Sequence, residues 1–319
     1  MSILYNINMS WKINVSKWFE DNVQNCETSI SPIELNFKNT SIGLNIQKIS
    51  NVHINYVNNN TDINVVSDPV YISTFTKNYF HMMFDEIGIY LYIKQFVPDL
   101  KLYMFREFDD YEFKMPTNNR ISDAFSYIGI DTSKYLFNLN ECNILFNNVY
   151  DITSKAYLRD NSDQYKEILK ILKNHFVNFI KDESRCDNIY ITRKTVKDFI
   201  NPNREILNVD VIEQYFEDIG YMVLDLNDIS FFDQMQIFGN AKKIIGPSGA
   251  GFTNLIFAKE GTVVVEINPD TESHLTEIFK QMAESYSLNF SRINLPKVLD
   301  GYEIVKILKE QFPDMLRSL

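Results

Sequence analysis

Hydrophobic and polar positions follow two regimes along the chain. From Asn188 onward, short apolar runs alternate with stretches in which apolar residues recur every three or four positions. The runs at 188–193, 221–226, 242–245, 262–267 and 288–293 predict strands. The run at 262–267, with Val263-Val264-Val265 at its centre, has the character of a strand buried on both faces of a parallel sheet. Between these runs, Val211, Ile212, Tyr215 and Phe216 form a helical stripe, with Asn208 as its cap and Gly220 at its end. Ser230 with Asp233 three residues on predicts a capped helix to Phe238. A short helix is predicted from the 246–251 turn to Ala258, and others near 272–286 and 302–312. Strand and helix alternate throughout, which predicts a doubly wound α/β domain.

The first half is less regular. Residues 1 to about 75 carry β-branched and aromatic residues broken by Asn and Ser, which predicts short strands and loops. A helix is predicted over 82–96, stopped by Pro98, then a strand over 100–105, a helix over 119–128 and a strand over 143–150. Ser162 opens a long helix with Tyr165, Ile168, Leu169, Leu172, Phe176 and Phe179 on one stripe. This helix, near 162–181, divides the chain into an expected first domain of 1–160 and a second of 161–319.

Composition narrows the function classes. The chain is 45% hydrophobic and 23% charged, which excludes wholesale disorder. No apolar run is long enough to span a bilayer. Three widely spaced cysteines, Cys26, Cys142 and Cys186, form neither a disulfide framework nor a zinc cluster and suit a reducing compartment. No signal peptide is visible in the first residues, so a cytoplasmic setting, bacterial or viral, is expected. A formal net charge of −11 disfavours nucleic acid and anionic membranes as partners. Any anionic ligand must be held by a local site; assembly into a homo-oligomer is compatible with all of this.

Four of the ten glycines lie within residues 246–261. The run Gly246-Pro247-Ser248-Gly249-Ala250-Gly251 falls between a predicted strand and a predicted helix, where close backbone approach and free helix-start amides suit a phosphate. The competing reading is a tight turn with no ligand. The spacing is neither the G-x-G-x-x-G fingerprint nor a Walker A loop, which disfavours a simple dehydrogenase or P-loop ATPase. No Asp-x-Asp occurs; Asp109, Asp110 and Glu112 read as a solvated loop.

The stretch from Ile245 to Ala258, with Gly261-Thr262 and Val264-Val265-Glu266-Ile267, resembles the signature of glycosyltransferase family 61. Asn78-Tyr79-Phe80-His81 with Phe84-Asp85, Tyr190-Ile191-Thr192-Arg193-Lys194, and Arg204 with Ile206-Leu207-Asn208 resemble it in the same order. Two positions depart from the pattern: Ser248 stands where His is common, and Met82 where Trp is frequent. The resemblance implies the GT-B architecture, two Rossmann-like domains facing a cleft, with the last helix packing back on the first domain. It also implies an inverting transfer from a nucleotide sugar, most plausibly a UDP-sugar, to a glycan or glycoconjugate hydroxyl. No cofactor and no metal are required. A nucleotide-sugar epimerase of GT-B type and a catalytically inactive nucleotide-sugar binder are the alternatives.

Within that frame the residues take definite roles. A departing diphosphate gains charge and needs cations and amides around it. Arg193, at the end of a predicted strand, is the first candidate, with Lys194 and Arg204 behind it; a surface ion pair of Arg204 with Glu205 or Asp210 competes. Gly246, Ser248, Gly249, Ala250 and Gly251 line the phosphate side, and Thr253 and Asn254 add side-chain contacts from the first helical turn. Glu266 ends an apolar strand and suits a ribose diol, against the competing reading of a carboxylate paired inside the domain. For the general base, His81 is the first choice and Asp85, one helical turn on, orients it or takes its place; a buried His beside an exposed Asp competes. His53, His175 and His274 have no partners at ligand spacing.

Overall fold

The computed structural model describes residues 46–49, 52–55, 64–74, 79–106, 120–131, 136–138, 143–152, 163–182, 187–194, 206–269, 276–295, 299–311 and 313. Arg204, His274, the three cysteines and the acidic group at 109–112 lie outside these residues. The chain divides into two compact units, Met1–Met115 with Ile121–Leu172, and Pro116–Arg120 with Lys173–Leu319.

The first unit holds strands β1 (Ile46–Ile49), β2 (Val52–Asn55), β3 (Asn64–Thr74), β4 (Lys101–Arg106), β5 (Leu136–Asn138) and β6 (Asn143–Ile152) in one sheet, ordered β1-β6-β3-β4-β5, with β2 also on β6. β3, β4, β5 and β6 run parallel, and β1 and β2 pair antiparallel with β6. The β3–β6 register shifts between Val66 and Pro69, where proline has no amide to offer the ladder. Helix α1 covers residues 79–94, α2 is Arg120–Tyr127 and α3 is Asp163–Phe176. Tyr71, Ile89, Ile93, Phe125, Phe146 and Leu169 are fully buried in the core of this unit.

The α3 stripe is buried at Tyr165, Ile168, Leu169, Leu172 and Phe176, as its periodicity predicts. Phe179 is the exception and is exposed. After Phe176 the chain tightens into a 3-10 turn, Val177–Phe179, and the shorter turn of about three residues rotates Phe179 off the stripe.

The second unit is a five-stranded, all-parallel sheet: β7 (Asn188–Ile191), β9 (Met222–Leu224), β10 (Lys243–Pro247), β11 (Val263–Pro269) and β12 (Asn289–Leu295), ordered β12-β11-β10-β7-β9. β8 (Ile206–Leu207) and β13 (Leu299–Asp300) form a separate parallel pair. The helices are α4 (Val209–Asp218), α5 (Phe231–Asn240), α6 (Thr276–Ser285) and α7 (Gly301–Gln311). The protein is therefore α/β with parallel sheets, as the alternation of elements predicts.

The core on one face of this sheet stacks Tyr190 on Phe216, centroids 4.2 Å apart, with Ile212, Val265 and Ile293 around them. Ile304, Val305 and Leu308 of α7 join the same core. The last helix thus lays these three residues on the core of its own unit. Asn208, expected as a cap, is corrected. It sits at φ 51°, left-handed, makes no side-chain cap, and donates its amide to Asp300 Oδ2 at 2.7 Å. Ser230 does cap α5, accepting from the Asp233 amide at 3.0 Å.

Candidate active site

β7 and β10 are neighbours, yet the chain visits β9 between them, so the strand order reverses at this pair. Ligands of open α/β sheets bind outside the carboxyl ends of the strands at such a reversal. β7 delivers Thr192 and Arg193 to that point, and β10 delivers Ser248, Gly249, Ala250 and Gly251. Arg193 Nη1 donates to the Ser248 carbonyl at 2.8 Å. The two pieces singled out from separate parts of the sequence are thus joined by one hydrogen bond.

The approach of the strands needs glycine at 246. A Cβ there would lie 2.8 Å from Ile191 Cβ and 3.1 Å from the Ile191 carbonyl. The Ser248 amide donates to the Ile267 carbonyl at 2.9 Å, so the turn stays on the sheet edge. A 3-10 helix, Ala250–Phe257, follows, and its first internal bond runs from the Phe252 amide to the Gly249 carbonyl. The amides of Ala250 and Gly251 precede that bond and are the donors an anion would meet. At the far end of this helix, Lys173 Nζ donates to the Ala258 carbonyl at 2.7 Å, an ammonium at the negative end of the segment. Burial lowers the Lys173 pKa.

The neighbours of Arg193 are committed elsewhere. Thr192 Oγ1 donates to Glu213 Oε1 at 2.6 Å. Lys194 Nζ pairs with Asp210 and with Glu213 Oε2 at 3.2 Å, on α4. Those bonds, first to Asp210 and then to Glu213, raise its pKa. Asp210, named in the sequence as a competing partner for Arg204, is bonded to Lys194.

Glu266 is register partner to Gly246 on one side and Arg292 on the other. Its side chain is fully buried and its Oε2 accepts from Arg292 Nε at 2.7 Å. Arg292 Nη1 reaches Glu277 Oε1 at 2.9 Å on α6. The other Glu266 oxygen is buried short of a full hydrogen bond, with the Ser248 hydroxyl close enough to act on the carboxyl. Burial raises the Glu266 pKa, and Ser248 and then Arg292 hold it down. Glu266 is thus fully buried and paired inside the domain, as the competing reading of this carboxylate has it. Thr253 and Asn254 are likewise fully buried rather than lining a crevice. Asn254 Nδ2 donates to Gln234 Oε1 at 2.8 Å, and the Thr253 hydroxyl has no hydrogen-bond partner among the described residues.

In the first unit, α1 begins as an α-helix at Tyr79–His81, widens to a π-helix over Met82–Gly88 and returns to an α-helix over Ile89–Lys94. His81 Nδ1 lies 2.6 Å from Asp85 Oδ2. The side chains are 10% and 22% exposed, so the pair is largely shielded from water but reachable. The ring of Phe80 packs edge-on against His81, centroids 5.6 Å apart. A carboxylate on Nδ1 fixes the tautomer with Nδ1–H donating, which makes Nε2 the basic nitrogen. His175 closes α3 with its ring edge-on to Phe176, centroids 5.2 Å apart.

The sequence reading missed Arg292, Gln234 and the wide turn in α1. Arg292 carries a signal only once Glu266 is known to sit beside it in register. Gln234 binds the Leu226 and Ile229 carbonyls at 3.0 and 2.9 Å, and so ties the loop after β9 to the 3-10 helix.

The model of the family described as glycosyltransferase 61 matches residues 65–265, more than half of the chain. The chain belongs to glycosyltransferase family 61. It is an enzyme that moves a sugar from a donor to an acceptor. No curated protein matches the sequence. The family 61 match opens in β3 and closes in β11, so it takes in His81, Asp85, Arg193 and the glycine turn, and stops one residue before Glu266. Among the described residues of this glycosyltransferase, no helix is long and apolar enough to cross a membrane. No group of three or more His, Cys, Asp or Glu among them is placed to hold a metal ion.

Proposed function

We propose that this family 61 glycosyltransferase is a GT-B enzyme that transfers a sugar from a UDP-sugar to a glycan or glycoconjugate hydroxyl, with inversion and without a divalent metal. The second unit takes the donor and the first carries the base. The observation that carries this reading is the Arg193 guanidinium fixed on the Ser248 carbonyl at 2.8 Å, where the strand order reverses. A planar cation and two amides beside one another suit a diphosphate, whose charge grows as the glycosidic bond breaks.

In the step itself, the acceptor oxygen attacks the anomeric carbon on the face opposite the diphosphate. The bond from that carbon to the phosphate oxygen breaks, and the diphosphate leaves with the electron pair. The acceptor proton passes to His81 Nε2, while Asp85 on Nδ1 stabilises the imidazolium that forms. Arg193 and the amides of Ala250 and Gly251 meet the leaving charge. The lack of Asp-x-Asp in the sequence agrees with this use of a guanidinium.

A thermal-shift panel of UDP, GDP, CDP and their sugars tests the reading. A ligand at a hundred times its dissociation constant adds about 2.7 kcal/mol to the native state. UDP and UDP-sugars should raise the melting temperature of the parent, and less so that of Arg193→Met. Equal shifts for all three bases would overturn the UDP assignment; no shift for any would overturn the donor site. Release of UDP from a UDP-sugar supports transfer, and an isomerised sugar would point to an epimerase instead.

A further inference from the structure

A buried amide near the start of α5 joins the glycine turn to the loop after β9. That loop is a short 3-10 turn, Leu226–Asp228, capped by Asp225, whose Oδ1 accepts from the Asn227 amide at 2.9 Å. β9 is the edge strand, with β7 between it and β10. The Leu226 side chain reaches over the end of β7 to the turn that β10 feeds: a Cβ on Gly251 would lie 2.9 Å from Leu226 Cδ1 and 3.4 Å from Ile191 Cγ2. Glycine at 251 leaves room for that approach.

Gln234 holds the loop in this place. It is 2% exposed, and its amide nitrogen donates to the Leu226 and Ile229 carbonyls at 3.0 and 2.9 Å. A carbonyl can only accept, so the nitrogen faces the loop and Oε1 faces Asn254, which donates to it at 2.8 Å. Asn254 is fully buried and stands three residues after Gly251 on the same 3-10 helix. The path closes on itself. Gly251 meets Leu226, Leu226 is bonded to Gln234, Gln234 to Asn254, and Asn254 belongs to the helix that carries Gly251.

We propose that Gln234 is a positioning residue of the donor site: it keeps the loop after β9 and the start of the 3-10 helix in register, so that the amides of Ala250 and Gly251 stand where a diphosphate meets them. Without its amide, the Leu226 and Ile229 carbonyls and the Asn254 nitrogen lose these partners, and the loop gains by turning its carbonyls toward water. Leu226 then leaves Gly251, and the helix start loses a surface that fixes its amides. Gln234 touches no substrate; it acts through Leu226 and Asn254. This inference rests on the donor reading given above.

Gln236 supplies the control. It lies on the same helix and is 3% exposed. It accepts from the Lys181 amide and donates to the Phe179 carbonyl, both at 2.8 Å, and so serves the segment after α3 rather than the glycine turn. Gln234→Met and Gln236→Met each delete a buried amide and keep the length of the side chain, and both should lower Tm. Only Gln234→Met should weaken UDP in titration calorimetry, by about tenfold, the worth of one hydrogen bond to a charged group. Hydrogen exchange read by mass spectrometry should quicken over 226–229 and 249–254 in Gln234→Met and not in Gln236→Met. Parental UDP affinity in Gln234→Met, an equal loss in Gln236→Met, or unchanged exchange over 249–254 would each overturn the proposal. Should Gln234→Met not fold, Leu226→Ala, at a half-buried position, opens the same path from the loop. It should weaken UDP by a similar factor, and parental affinity there would overturn the proposal. Arg193→Met separates the two readings. If it weakens UDP and Gln234→Met does not, only the positioning role fails. If the parent does not bind UDP, or Arg193→Met binds it as the parent does, the donor reading fails and the role of Gln234 fails with it, whatever the exchange shows.

Discussion

Arg292→Met isolates the buried carboxylate beneath the glycine turn. Glu266 is fully buried and Arg292 is 15% exposed, with 2.7 Å between Oε2 and Nε. Removing one partner of such a pair leaves an uncompensated buried charge, which costs about 3–5 kcal/mol. For a domain of ordinary size that corresponds to a fall of roughly 6–20 °C in Tm. The pH dependence carries a sign. Burial raises the folded pKa of Glu266 above its ordinary value of 4.5, even with Ser248 and Arg292 opposing. The stabilising contribution of such a group is full below its unfolded pKa and is lost as pH rises through the folded one. Without Arg292 the folded value climbs further, so the loss extends over a wider range. Glu277 acts in the same sense. Its hydrogen bond to Arg292 is the first cause of its lowered pKa, and the stability this gives is present above the ordinary value and lost as pH falls. It is half-exposed, so its share is small. Both effects make the deficit of the variant largest near pH 8 and smaller toward pH 5. Scanning calorimetry of parent and variant across that range measures it, with the difference cancelling the other carboxylates. The double variant with Glu266→Gln should recover most of the loss, since no buried charge remains. A deficit below about 1 kcal/mol, or one that grows on acidification, would refute the reasoning.

Two further outcomes follow from the strand ends. Arg193→Met removes the cation proposed to meet the diphosphate, a charge-assisted donor worth about 1.5–3 kcal/mol, so calorimetric affinity for UDP should fall by roughly 10- to 150-fold; loss of its bond to the Ser248 carbonyl should also lower the Tm of the free enzyme. Gly246→Ala places a methyl 2.8 Å from Ile191 Cβ between two strands; overpacking there costs about 1–3 kcal/mol, read as a lower denaturation midpoint, and an unchanged midpoint would mean that the strands are not held at this distance.

The second unit is legible because its signals are local. Val263 to Val265 is apolar without break, Ser230 faces its own Asp233 amide, and the glycines mark one turn. What escaped depends on register and on departures from regular pairing. Glu266 at the end of an apolar strand suits either a ligand or a partner; only its alignment with Arg292 decides. Asn208 has the composition of a cap, but its left-handed backbone sends the side chain to Asp300 instead. In α1 the pattern places His81 and Asp85 together at ordinary helical spacing, which is correct in outcome. The wider turn that joins them has no periodic signature, because one surplus residue within a helix is invisible to a stripe of apolar positions.

The charge of the protein sharpens what the proposed donor site must do. A chain with a formal net charge of −11 repels an anionic sugar nucleotide at long range. Over more than about 8 Å, physiological salt screens that repulsion. Arg193 acts inside this distance, fixed against the turn at 2.8 Å, whereas Lys194 is neutralised by Asp210 and Glu213 and adds little attraction. On the proposed reading, selectivity for an anion in such a protein rests on short-range order, a guanidinium and amides held by a parallel sheet, rather than on a basic surface. The same logic accounts for burying the Glu266–Arg292 pair. A carboxylate exposed beside the turn would oppose the diphosphate directly, whereas one bonded to Arg292 shapes the turn with its charge balanced.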